Sequence, residues 1–293
     1  MLRRALVTGL VVGTLAACAP KPHAQVAAPA GTWVSLFNGK DLSGWTVKIA
    51  GQDLNDNYQR TFRVADGLLK ISYDGYDAFS GRFGSLYSQR KLSHYWLRAE
   101  YRFTGKLAPG APSWAYENSG LQLHSQAPES MLKAQEFPVS VEFDIKGARL
   151  FGRNPTGDVC RNGTRVKIGG VPLAGQCSTL SDIAIPGDDW VTVLAEVDGS
   201  RRVRQIVNGA LIVEYTDLTL DDTNADARRL IAAGADQALS SGYVSIQSNG
   251  HPIEFRRIEV LPLDDDAPAP ARAAASAAAS AAVPPAAPAA VPP

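Results

Sequence analysis

An excess of charge of either sign is missing from this 293-residue chain: 29 Lys and Arg stand against 29 Asp and Glu, and no like-charge run exceeds Asp264-Asp265-Asp266. Nucleic-acid binding rests on clustered Lys and Arg set against phosphate, so no nucleic-acid partner is expected. Long hydrophobic runs are missing as well. The apolar stretch over residues 5–15 falls short of the roughly 20 residues that a membrane-spanning helix needs. No self-similarity recurs at a period of about 20–50 residues, which argues against a propeller or solenoid. Helical patterning is confined to residues 226–238. Histidine is limited to four residues and cysteine to three. No histidine lies between or close to Cys160 and Cys177, so that pair lacks the further ligands a metal site requires.

The two ends differ from the middle in composition. Arg3 and Arg4 precede the apolar run, and Leu15-Ala16-Ala17-Cys18 closes it. This resembles the lipobox of bacterial lipoproteins. It implies a signal peptide over residues 1–17, lipidation of Cys18 and a lipid anchor to the membrane. Ala19 follows the cysteine, without the aspartate of inner-membrane retention. The expected address is therefore the cell envelope at the outer membrane, periplasmic or surface-facing. Such an address permits disulfides; with Cys18 acylated, Cys160 and Cys177 remain as an even pair and are expected to bond. Residues 18–31 read as a Pro/Ala tether. From residue 267 onward only Ala, Pro, Ser, Val and one Arg occur, so 264–293 is expected to be a disordered tail with too little to bury.

Between these ends, residues 32–263 carry about a dozen short strand patterns separated by Gly, Asn and Asp turns. Asp66-Gly67 and Asn208-Gly209, each flanked by alternating apolar runs, are hairpin signals. Residues 95–103 alternate, with Tyr95, Leu97, Ala99, Tyr101 and Phe103 on one face. Many short strands with almost no helix predict an all-β, antiparallel jelly-roll sandwich. Residues 148–187, rich in Gly, Pro and Asn, read as a long loop clipped by the two cysteines.

One stretch organises the chemistry. Over residues 138–147, Val139, Val141, Phe143 and Ile145 alternate with Ser140, Glu142, Asp144 and Lys146, the period-two signature of a strand. Glu142, Asp144 and Lys146 then stand in a row, roughly 7 Å from each to the next. In the short strand of residues 120–124, Gln122 and His124 share one face by the same alternation.

Several motifs carry a resemblance. Residues 36–45 (LFNGKDLSGW) look like the opening signature of the 3-keto-disaccharide hydrolase domain family. Asn118-Ser119-Gly120 follows, then His124-Ser125-Gln126, Pro128-Glu129-Ser130-Met131 and Ser140-Val141-Glu142. Residues 242–256 (GYVSIQSNGHPIEFR) resemble its closing segment. The resemblance covers essentially all of 32–263 and implies a concanavalin A-like jelly roll acting on sugars. The family more often has glutamine where this chain has Asp144, and Lys146 matches no family position. At the level of fold there is kinship to laminarinase-type glycoside hydrolases, whose catalytic strand reads Glu-x-Asp-x-Glu. Here Lys146 replaces the third acid, so that retaining pair is not available.

In a glycoside oxidised at C3, the adjacent ketone acidifies the C2 hydrogen. A base can remove it, an electrophile can hold the enolate oxygen, and an acid can assist the C1 substituent to leave. Water added afterwards gives net hydrolysis, whereas direct hydrolysis needs two carboxyl groups across the glycosidic bond. The expected catalytic residues are Glu142, Asp144 and His124. Asn118, Trp114, Lys146, His251 and Arg256 are expected to bind substrate. Glu142, Asp144 and His124 alternatively form an oxygen-and-nitrogen set for a divalent metal ion polarising the ketone. The expectation is a carbohydrate substrate and cleavage of 3-keto-glycosides. A lectin-like lipoprotein that binds glycan without turnover is the alternative.

Overall fold

The computed structural model describes residues 23–148 and 154–263. Cys18, the expected signal peptide and the 264–293 tail lie outside the described residues. Inside them, the first strands are β1 (Val34–Ser35), β2 (Trp45–Ile49), β3 (Phe62–Ala65), β4 (Leu68–Ile71), β5 (Gly84–Leu92), β6 (His94–Phe103), β7 (Asn118–Ser125) and β8 (Ser140–Lys146). There follow β9 (Val159–Asn162), β10 (Thr164–Ile168), β11 (Val171–Pro172), β12 (Val191–Asp198), β13 (Arg202–Val207), β14 (Ala210–Leu220), β15 (Gly242–Ser248) and β16 (Ile253–Pro262).

Two antiparallel sheets result. The larger runs β11-β10-β14-β13-β12-β6-β16-β4-β3 with β1 on β16, and the smaller runs β2-β5-β15-β7-β8-β9. Together they form an all-β jelly-roll sandwich. The alternation read from the sequence decides which side chains lie between the sheets. Tyr95, Leu97, Ala99, Tyr101 and Phe103 of β6 meet Val141, Phe143 and Ile145 of β8 in one core, and all are essentially inaccessible. Burying such side chains contributes roughly 1.5–3 kcal/mol each for the larger aliphatic and aromatic ones. The polar residues of β8 are thereby turned onto the outer face of the smaller sheet.

Three local features differ from the sequence reading. The expected loop over 148–187 contains β9, β10 and β11, and β9 pairs with β8 at Glu142↔Cys160 and Ser140↔Asn162. The Cys160–Cys177 disulfide is formed. The helix α1 spans Ala225–Ala232, shorter than expected, because Asn224 caps it through the Asp226 and Ala227 amides and Gly234 follows its end. Residues 23–31, the described part of the expected tether, lie against the larger sheet instead of standing clear of it. Ala24 and Val26 exchange backbone hydrogen bonds with Leu211 and Gly209. Val26 is buried with Trp96, Leu194 and Ile206 on the outer face of that sheet.

Candidate active site

Because β8 is an inner strand flanked by β7 and β9, its outward side chains are walled in laterally. Glu142 is 5% exposed and Asp144 2%. Opposite them on β7 stand Gln122, Gly120 and Asn118, in register with Glu142, Asp144 and Lys146. Gly120 is required there by space: a Cβ at that position would lie 2.4 Å from Glu142 Oε1. Its missing side chain is where the Glu142 carboxyl sits.

A chain of amides meets the two acids. Asn118 Nδ2 donates to Asp144 Oδ1 at 3.0 Å, and Lys146 Nζ lies 2.5 Å from Asp144 Oδ2. Asn162 Nδ2 and Gln247 Nε2 both donate to Glu142 Oε2, at 2.8 and 3.1 Å. Asn249 Nδ2 donates to Asn118 Oδ1 at 2.7 Å and to Gln247 Oε1. Glu142 Oε1 has no partner among the described residues.

Two buried carboxyls side by side cannot both hold a charge cheaply. Burial first, then the Asp144 charge, pushes Glu142 up to about 8, against the pull of the Asn162 and Gln247 hydrogen bonds. Burial also raises Asp144, but the Lys146 ammonium and the Asn118 amide work against it. Glu142 is therefore the readier of the two to hold a proton, and Oε1 is the oxygen free to carry it, since Oε2 already accepts two hydrogen bonds. Asp144, paired with Lys146, is the readier to hold the charge. The two environments push the two carboxyls toward different roles, acid and base, the arrangement acid–base catalysis needs.

These groups open into a cavity of about 420 Å³, whose wall also includes Asn154, Phe137, Gln176 and the disulfide. At its rim Trp114 sits on a 3₁₀ turn, Ser113–Ala115. It is half exposed and stacks on Phe83 with centroids 5.6 Å apart and planes 6° from parallel. With one ring face covered by Phe83, the other is presented as an aromatic surface of the type sugars stack on.

The structure thus brings together five of the expected residues, Glu142, Asp144, Lys146, Asn118 and Trp114, and separates the other three. His124 leaves the Gln122 face because a bulge interrupts the β7–β15 register just there, and its φ of 49° turns the side chain toward the inner face. Its ring lies 5.9 Å from that of Tyr95, and Nδ1 bonds the Leu239 carbonyl at 2.9 Å. Burial holds its pKa down near 4. His251 is buried between the edges of Phe103 and Tyr116, also with its pKa lowered to about 4 by burial. Arg256 pairs with Glu100 at 2.6 Å and lies over Trp190, on the outer face of the larger sheet.

The expected metal set of Glu142, Asp144 and His124 is accordingly not assembled. Asp144 and the sulfurs of Cys160 and Cys177 do lie within 4.8 Å of one another, but the sulfurs are joined in the disulfide and offer no thiolates. Both Asp144 oxygens are already engaged, one by an ammonium that would repel a cation. The residues here do not fit a divalent metal.

Four site residues went unanticipated. Gln247 and Asn249 lay within the closing motif without a chemical reason to single them out. Gly120 acts by what it lacks, and Asn162 reaches Glu142 only because β9 pairs beside β8.

Residues 32–261 match the family described as the 3-keto-alpha-glucoside-1,2-lyase-like domain. No curated protein matches the chain. Among solved structures, a candidate glycosyl hydrolase from Parabacteroides distasonis is 17% identical, covering 79% of this chain and 94% of its own, with a TM-score of 0.47. A protein of galectin-like fold from Bacillus subtilis is 13% identical over 75% of this chain and 89% of its own, with a TM-score of 0.46. A carbohydrate-binding module from Bacillus subtilis is 11% identical over 73% and 93%, with a TM-score of 0.41.

Proposed function

The chain belongs to the 3-keto-alpha-glucoside-1,2-lyase-like domain family, and we propose that it cleaves 3-keto-glycosides by elimination across C1 and C2, with hydration giving net hydrolysis. The observation that carries this reading is the buried Glu142 carboxyl beside the Asp144–Lys146 ion pair in one cavity. Acid, base and cation follow one another along β8. The leaving oxygen, the acidic hydrogen and the ketone follow one another on C1, C2 and C3 of the sugar.

Asp144 takes the C2 proton, and the electron pair of that bond moves toward the C3 oxygen, where the Lys146 ammonium stabilises the enolate. The enolate then collapses to form the C1–C2 double bond. The C1–oxygen bond breaks, and the departing oxygen takes the proton from Glu142 Oε1. Glu142 is left ionised and Asp144 protonated. Water adding at C1 gives its proton to Glu142, and Asp144 returns one to C2, so both groups regain their starting states. Direct displacement fits less well, because Lys146 stands where a one-strand retaining pair would place its second glutamate, and the remaining acid, Asp144, is tied to that ammonium at 2.5 Å.

The test is incubation of the protein with an aryl 3-keto-α-glucoside in D₂O. Elimination and hydration place deuterium at C2 of the 3-keto-glucose released at early times wherever Asp144 exchanges its proton with solvent, and C2-deuterated substrate is cleaved more slowly in either case. Release with neither incorporation nor a C2 isotope effect overturns elimination. Turnover is expected to survive chelator, since no ligand set for a metal is assembled among the described residues. Saturable glycan binding without turnover of several 3-keto-glucosides would instead support a non-catalytic binding protein.

A further inference from the structure

Asn249 follows β15 and is 1% exposed. It is held rigidly. The next residue, Gly250, has φ 109°, donates its N–H to the Tyr73 hydroxyl at 2.8 Å and accepts the Ala108 N–H at 2.8 Å. The amide orientation is fixed by a run of hydrogen bonds that starts at Asp144. An anion admits only donors, so Asn118 presents Nδ2 to it and turns Oδ1 back toward Asn249. Asn249 must then offer Nδ2 there, and its second N–H goes to Gln247 Oε1, which turns Gln247 Nε2 toward Glu142. Both donors of Asn249 are consumed. Its Oδ1 is buried, accepts nothing from the protein, and belongs to a residue lining the cavity.

Leaving a buried acceptor unmade costs about 1–3 kcal/mol, and this one is held on a residue that orients both acids. We infer that Asn249 is the specificity-determining residue of the cavity: its Oδ1 accepts a hydrogen bond from one particular hydroxyl of the bound sugar, while its Nδ2 keeps Asn118 and Gln247 donating to the two carboxyls. An acceptor cannot bond a ketone oxygen, so the position it reads is a hydroxylated carbon and not the oxidised one. The oxidised carbon is left to Lys146. The inference rests on the proposed function in taking the ligand to be a 3-keto-glycoside, but not in taking it to be cleaved.

The experiment separates the two. In the Glu142→Gln background, which prevents turnover, dissociation constants are measured for methyl 3-keto-α-glucoside and its 2-, 4- and 6-deoxy forms. One deoxy form is expected to bind about 10- to 100-fold more weakly, the loss for a buried acceptor left unpaired, with the other two much less affected. Asn249→Leu in the same background is expected to remove that one preference and leave the rest. Asn249→Asp keeps an acceptor but loses both donors. It should keep the preference, whereas in the otherwise wild-type protein it should lower kcat and shift the alkaline limb of the pH–rate profile. Should Asn249→Leu fail to fold, Asn249→Ala, which also lacks the acceptor, is measured in its place, and the preference is expected to vanish there too. Equal weakening by all three deoxy forms, or a preference that survives Asn249→Leu, overturns the inference. Because these are binding ratios, they stand whether or not the protein turns over 3-keto-glucosides.

Discussion

Glu142 is the residue on which protonation, stability and turnover meet. Its pKa is raised to about 8 in the fold, against 4.5 for an ordinary glutamate. The folded protein therefore binds more protons than the unfolded chain between those values, and stability falls as pH rises through that window. Glu142→Gln stays neutral throughout, and its amide oxygen can still accept from Asn162 and Gln247. We expect it to melt higher than wild type at about pH 9, by about 2–4 °C for each kcal/mol regained in a domain of this size. It should lose at least about 10²-fold in kcat, the usual contribution of a general acid. Calorimetry across pH, together with turnover, checks both. His251 has the opposite sign. Its pKa is lowered from 6.5 to about 4, so stability is lost as pH falls from about 6.5 toward 4. His251→Phe, measured by urea midpoint at about pH 5 and pH 7, should flatten that acid limb. The acid row could be read from the sequence because a period of two fixes which side chains share a face. The proton's place on Glu142 could not, because it depends on Asn162, Gln247 and Lys146 converging from three places in the chain.

Strands decide which of those residues meet. The alternation of β6 and β8 gave the core faces correctly, and it failed for His124 because the bulge beside it adds a residue on one strand and reverses the face. No local sequence signal marks that bulge; it arises where β15 crosses so closely that a Cβ on Gly242 would lie 2.4 Å from the His124 carbonyl carbon. Gly120 offers a sharper test of element packing. Its backbone needs no special conformation, so Gly120→Ala acts purely through the methyl group against Glu142. We expect about 1–3 kcal/mol of destabilisation from the forced shift and a larger loss of kcat than of substrate affinity. The disulfide pins the strand that supplies Asn162. Replacing Cys160 and Cys177 with serine opens a loop of separation 17, and about 3 kcal/mol of stability should go with it. A fall in the alkaline pKa of the pH–rate profile is not expected, since loss of the Asn162 donor removes a hydrogen bond that favours ionised Glu142; the limb should move upward.

At the scale of the molecule, the two outer faces of the sandwich do different things. The smaller sheet carries the cavity, and part of the larger sheet is covered by residues 23–31. Val26 seals an apolar group of Trp96, Leu194 and Ile206, and His23 bonds Asp182 at 2.6 Å. A chain beginning at Thr32 should expose that group and unfold at lower denaturant than one beginning at His23, with activity unchanged in native buffer. With Cys18 acylated, the docked segment would also govern orientation. Only four residues separate Cys18 from His23, five steps of chain that make a leash of at most about 18 Å. An acyl chain on Cys18, expected from the sequence, would moor the protein by its larger sheet. The mouth of the cavity, across two sheets about 10 Å apart, would then look away from the bilayer. Sugars would arrive from the surrounding compartment, not along the membrane surface.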